Sequence, residues 1–105
     1  MKYCIVKSTA SNKEEAVKIS RFLVENKLIA CANIIENITS IYNWDGKLNQ
    51  DNEVLIIMKT KIELYDKVEE AIKKLHSSDT PEIIVTPVIS GSKEYLDWIN
   101  EQTEE

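Results

Sequence analysis

The chain has 105 residues, 43% of them hydrophobic, with two Pro, two Gly and a formal charge of −5. That composition suits a single domain, residues 1–105, with a real core, and it excludes disordered and collagenous chains. Lys and Arg are scattered, usually beside Glu or Asp, so no basic stripe exists to neutralise phosphates, and neither nucleic acid nor an anionic membrane is expected as a partner.

The first strand is "KYCIVKST", near-continuously apolar in its middle, as in a strand buried on both faces. It turns polar too soon for a secretory core, no stretch approaches the ~20 apolar residues of a membrane span, and a cytoplasmic location is expected. Ser11 opens "SNKE", a Ser-x-x-Glu capping box that starts a helix at Glu14's turn. Ala16, Ile19, Leu23 and the flanking Val17, Val24 and Leu28 give that helix one apolar face to about Lys27. A second strand runs from about Ile29 to Trp44, Asp45-Gly46 supplies the pair a type I′ hairpin turn prefers, and a third strand covers about Glu53 to Thr60.

A second capping box, "TKIE" at 60–63, starts a helix with its stripe at Leu64, Val68, Ala71, Ile72 and Leu75, ending near His76. "SSDTPE" is a loop, and "IIVTPVI" a fourth strand in which Pro87 cannot donate to a ladder, so it belongs at an edge or a bulge. After Gly91 and Ser92 comes a short amphipathic helix bearing Tyr95, Leu96, Trp98 and Ile99. The pattern predicts an α+β, ferredoxin-like βαββαβ fold with a long β2–β3 hairpin and a short C-terminal helix. Right-handed crossovers give an antiparallel sheet of order 4-1-3-2 with both main helices on one face.

The other sheet face is then bare, yet Val54, Ile56 and Met58 point one way and Leu55 and Ile57 the other, so the sheet is apolar on both sides. A bare apolar face marks an interface. Length points the same way: a chain of this size has a diameter of roughly 33 Å, whereas a strand from Ile29 to Trp44 reaches about 53 Å at ~3.3 Å per residue. Either "IIENITS" bends sharply or the arm lies on another subunit, and both are expected. Ile38, Ile41, Tyr42 and Trp44 are the interface candidates, with a ligand-stacking role for Tyr42 and Trp44 as the other reading.

The ordered landmarks "ACAN" at 30–33, "SIYNWDGK" at 40–47, Glu53, Lys59-Thr60, His76, "TPEII" at 80–84 and "GSKEYLDWI" at 91–99 resemble the CutA divalent-cation tolerance family over essentially the whole chain. The resemblance implies a tight homotrimer similar to the PII signalling trimers and a link to copper and other divalent metals. Where the family has Pro, Tyr and Glu after the histidine, this chain has Ser77, Ser78 and Asp79, and Ser8 stands where some members carry a cysteine.

His76 is the only histidine, so a paired-imidazole site within one chain is excluded. In a trimer it could meet a neighbour's thiol or carboxylate, a donor set that favours copper or zinc over magnesium. Its bland reading is a helix C-terminal residue. Cys31 is a candidate metal ligand or a small core residue, and Cys4 has still less claim to chemistry, since neither sits in a C-x-x-C pair. Glu53, Asp79 and Glu82 are the carboxylates of interest; Asp79 and Glu82 bracket Pro81 and could face one cleft with His76 behind them, for acid-base work or to bind a hard cation, or could lie solvated in a loop.

The leading expectation is a homotrimer that binds Cu(II) or another divalent metal weakly through His76, Cys31, Asp79 and Glu82, with no obligatory cofactor. The alternative is a PII-like trimer sensing a small anion in an intersubunit cleft containing Lys47, Glu53, Lys59 and Glu82, and acting through a protein partner. Nothing resembles a nucleophile elbow, a P-loop or a dinucleotide fingerprint, so no enzymatic activity is expected.

Overall fold

The computed structural model describes residues 1–104. Its elements are β1 (Tyr3–Ala10), α1 (Lys13–Glu25), β2 (Cys31–Trp44), β3 (Lys47–Lys61), a 3₁₀ turn (Ile62–Leu64), α2 (Tyr65–Leu75), β4 (Ile83–Pro87) and α3 (Lys93–Gln102). The four strands form one antiparallel sheet in the order β2-β3-β1-β4, as the crossover rule requires. Among the described residues no helix is long and apolar enough to cross a membrane.

Strand alternation builds the core. Cys4 and Val6 of β1 and Val54, Ile56 and Met58 of β3 face Ala16, Ile19 and Leu23 of α1 and Val68 and Ile72 of α2, and all are buried. Burial pushes the Cys4 thiol up to about 11, which suits a reduced, inert cysteine. On the opposite face Ile5, Leu55 and Ile57 are only half-buried and Ile35 is exposed.

The hairpin bears out the expected turn and the expected bend. Asp45 (φ 51°) and Gly46 (φ 74°) both take the positive φ of a type I′ turn. A β-bulge interrupts the β2–β3 register between Ile35 and Ile38, where Asn37 sits at φ 61°, and bends the arm. Even so the molecule measures 44 × 25 × 22 Å, its long axis well beyond the compact diameter. Strand β3 begins at Lys47 rather than Glu53, because the register of the turn carries the polar "NQDN" segment into the ladder opposite Thr39–Tyr42. β4 is an edge strand with Pro87 as its last residue, so the missing N–H breaks no ladder bond.

Both capping boxes need correction. α1 is capped by Asn12, whose side chain accepts from the Glu15 N–H at 2.8 Å, while Glu15 accepts from Ser11; the box is shifted by one residue. Thr60 caps nothing: it is a buried strand residue whose hydroxyl donates to the Leu28 carbonyl at 2.6 Å. Lys61 is also buried, its Nζ 3.5 Å from Asn100 Oδ1 on α3 and 3.8 Å from Glu63. With Glu104 N–H donating to the Lys27 carbonyl, this contact docks α3 against the rest of the domain.

A candidate cation cleft between the hairpin and the loop after the second helix

α2 stops at Leu75, and His76 leaves the helix with extended backbone, turning its ring back toward the end of β1. Its Nε2 lies 2.6 Å from the Thr9 carbonyl, which can only accept, so Nε2 carries the proton. Nδ1 is then the acceptor for the Ser78 N–H at 3.0 Å. The ring is nearly buried, and both of its nitrogens are engaged in hydrogen bonds.

Glu15 fixes the same loop from the other side. Its carboxylate accepts from the Ser11 N–H and hydroxyl at 3.0 Å each and from the Ser77 N–H at 2.8 Å, with Oε2 4.0 Å from His76 Nδ1. Burial acts to raise its pKa, but hydrogen bonds from Ser11 and Ser77 outweigh it and bring the group down to about 2. Glu15 was missed by sequence reasoning; the frame Asn12-x-x-Glu15, overlapping the Ser11 box, was the available signal.

Beyond this anchor the loop opens on a cleft of about 700 Å³. Its lining includes Glu53, Asp79 and Glu82, the ring of His76, and Ile41, Tyr42 and Trp44 from the bent arm. Seven of the eleven expected site residues therefore meet here. The Tyr42 hydroxyl donates to Asp51 across the hairpin, and that hydrogen bond to a carboxylate raises the phenol's pKa. None of the three lining carboxylates is in an ion pair among the described residues.

The remaining four lie elsewhere. Cys31 and Lys59 face each other at the far end of the β2–β3 ladder, with Lys59 Nζ 3.6 Å from the Cys31 sulfur and bonded to Asn33, and the Tyr95 hydroxyl 3.7 Å from the same sulfur. Cys31 thus shares no site with His76 within one chain. Lys47 stands at the hairpin tip opposite Trp44 and does not line the cleft, and Ile38 is half-buried opposite Glu53. With Lys47 and Lys59 both absent, no Lys or Arg lines the cleft, so its field is negative. No group of three or more His, Cys, Asp or Glu side chains converges on a point among the described residues. A second groove, of about 480 Å³ between α1 and α2, differs: its Lys67 and Lys74 are paired with Glu104 and Glu70 on its own rim.

The family model described as CutA1 divalent ion tolerance protein matches residues 4–102. The divalent-cation tolerance protein CutA of Thermus thermophilus is 41% identical over 99 residues, covering 94% of this chain and 96% of that protein. The chloroplastic CutA protein of Arabidopsis thaliana is 38% identical over 94% of this chain, which spans 54% of that longer protein. The crystal structure of CutA1 from Oryza sativa superposes with a TM-score of 0.97 at 37% identity, over 100% of this chain and 96% of that one. This chain belongs to the CutA1 divalent ion tolerance family.

Proposed function

We propose that the protein acts in divalent-cation tolerance as a homotrimer that binds copper or related divalent metals weakly, without enzymatic activity, through the carboxylates of the hairpin–loop cleft. The observation that carries this reading is the gathering of Glu53, Asp79 and Glu82 in one cleft with no lysine or arginine among its lining residues. Because no three donors converge, the metal keeps most of its water and binds chiefly by charge, which accounts for weakness. His76 holds the loop in place rather than ligating, and Cys31 stands outside the site. The anion-sensing alternative lacks support, since its two lysines do not reach the cleft.

Assembly is supported by the exposed apolar arm, Ile41, Tyr42, Trp44 and Leu48, and by the open sheet face and free edges of β2 and β4. A closed ring covers all three, and the family resemblance implies three subunits. The cytoplasm is the proposed location; two relatives are by their names chloroplastic, and the protein of one solved structure is by its name periplasmic. Calorimetric titration with Cu(II) tests the site: Glu53→Gln with Asp79→Asn and Glu82→Gln should abolish the binding heat, whereas retained affinity refutes the cleft.

A further inference from the structure

His76, the only histidine, stands between partners that suit two different protonation states. Its Nε2 donates to the Thr9 carbonyl at 2.6 Å, a contact that both states keep. Its Nδ1 accepts from the Ser78 N–H at 3.0 Å, a contact that is lost when Nδ1 takes a proton, because two N–H groups then face each other. Within 4.0 Å of the same nitrogen lies Glu15 Oε2, which accepts from the Ser77 N–H at 2.8 Å and has a further lone pair to give. Closing that gap to a charge-assisted bond takes about 1 Å of movement. Both side chains are nearly out of solvent, the imidazole 6% exposed and the carboxylate 12%.

The charges around the ring suit the second state. On α1, burial acts against the Glu15 charge, but the bonds from Ser11 and Ser77 hold its pKa down to about 2, so it is ionised throughout the range in which histidine titrates. Glu53 of β3 and Asp79 and Glu82 of the loop line the cleft that the ring also lines, with Tyr42 of β2 the remaining titratable group there. The last turn of α2 carries Lys73 and Lys74, each paired with a glutamate four residues back, and its end carbonyls carry a partial negative charge that suits an imidazolium.

We propose that His76 is a proton-operated latch on residues 77–82. Unprotonated at Nδ1, the ring ties down the Ser78 amide; protonated there, it keeps Thr9, bonds Glu15 and releases Ser78. The loop from Ser78 to Glu82 then loosens at its start, while Ser77 stays on Glu15. Histidine changes charge between about pH 5 and 8, which sets the range over which the latch works. The latch stands whatever the cleft binds, since none of the ring's three partners is one of the cleft carboxylates.

The test is nitrogen-15 NMR of the intact protein, in which one histidine gives one set of ring signals. At about pH 8 the ring should carry its proton on Nε2 alone, and as the pH falls to about 5 the Ser78 amide should move with the same midpoint as the ring. Glu15→Gln keeps an acceptor but removes the charge, and should displace the ring's midpoint to lower pH. His76→Gln should abolish the movement of the Ser78 amide. A ring that titrates while the Ser78 amide stays still overturns the proposal, as does a ring that takes no proton at Nδ1 over this range or a midpoint unchanged in Glu15→Gln. So does a Ser78 amide that titrates as before in His76→Gln, which assigns the movement to the neighbouring Asp79.

Discussion

The two ends of the β2–β3 ladder are built from similarly apolar side chains and meet opposite fates. At the helix-covered end Ile56 and Met58 are fully buried, whereas along the arm Ile41 is 64% exposed, Trp44 54% and Leu48 76%. The sequence pattern at one end is answered within the chain, by α1 and α2. At the other end nothing among the described residues answers it. A continuous strand thus serves two purposes: its first half closes a core and its second half, turned by the bulge at Ile35–Ile38, carries a surface outward. The cleft forms where the arm bends over the loop that Glu15 and His76 hold down.

Matched truncations sharpen that contrast. Ile56→Ala should lower stability by about 2–5 kcal/mol in denaturant unfolding, since a buried isoleucine leaves a cavity. Ile41→Ala should change the stability of the single chain by no more than about 0.5 kcal/mol, while raising the concentration at which the assembly dissociates. Equal effects at the two sites would break the comparison.

Glu15→Ala removes a charged acceptor from three donors and should cost about 2 kcal/mol, with hydrogen exchange at Ser77 and Ser78 rising more than anywhere in the core. The pH dependence follows in sign. Its folded pKa, about 2, lies below its unfolded value near 4.5, so the contribution is complete above about pH 4.5 and is lost as pH falls toward 2. Stability that falls equally over that window in the Ala variant would assign the loss to other groups. At the tip, Gly46→Ala should cost about 1 kcal/mol in thermal unfolding, because the site has open space but a φ of 74°. At Lys61, replacement by Met keeps the aliphatic stem and discards a buried charge whose partners stand at 3.5 and 3.8 Å, so stability should hold within about 1 kcal/mol or rise.

What could be read ahead of the structure divides along the same line. Period-two alternation in "EVLIIMKT", the stripe of α2 and the Asp45-Gly46 turn are local signals, and each led to the right element. Thr60 looked like a cap because caps are also local, yet Leu28, thirty-two residues away, takes its hydroxyl. The polar run after the turn carried no strand signal of its own and is strand only because β2 continues beside it. For the site, sequence named most of the residues that line the cleft and gave His76 two roles to choose between. The Thr9 carbonyl, sixty-seven residues distant and 2.6 Å from the imidazole Nε2, adds a contact that neither reading held. Cys31 was grouped with His76 on chemistry alone, while the ladder register sends it to Lys59 and Tyr95.

The arm is proposed as a surface for other copies of the chain. Multi-angle light scattering at micromolar concentration measures this directly. A mass three times the 12.1 kDa of one chain is predicted, falling toward the single-chain value when Ile41 and Trp44 are both replaced by Asp. A wild-type mass of 12.1 kDa would contradict it.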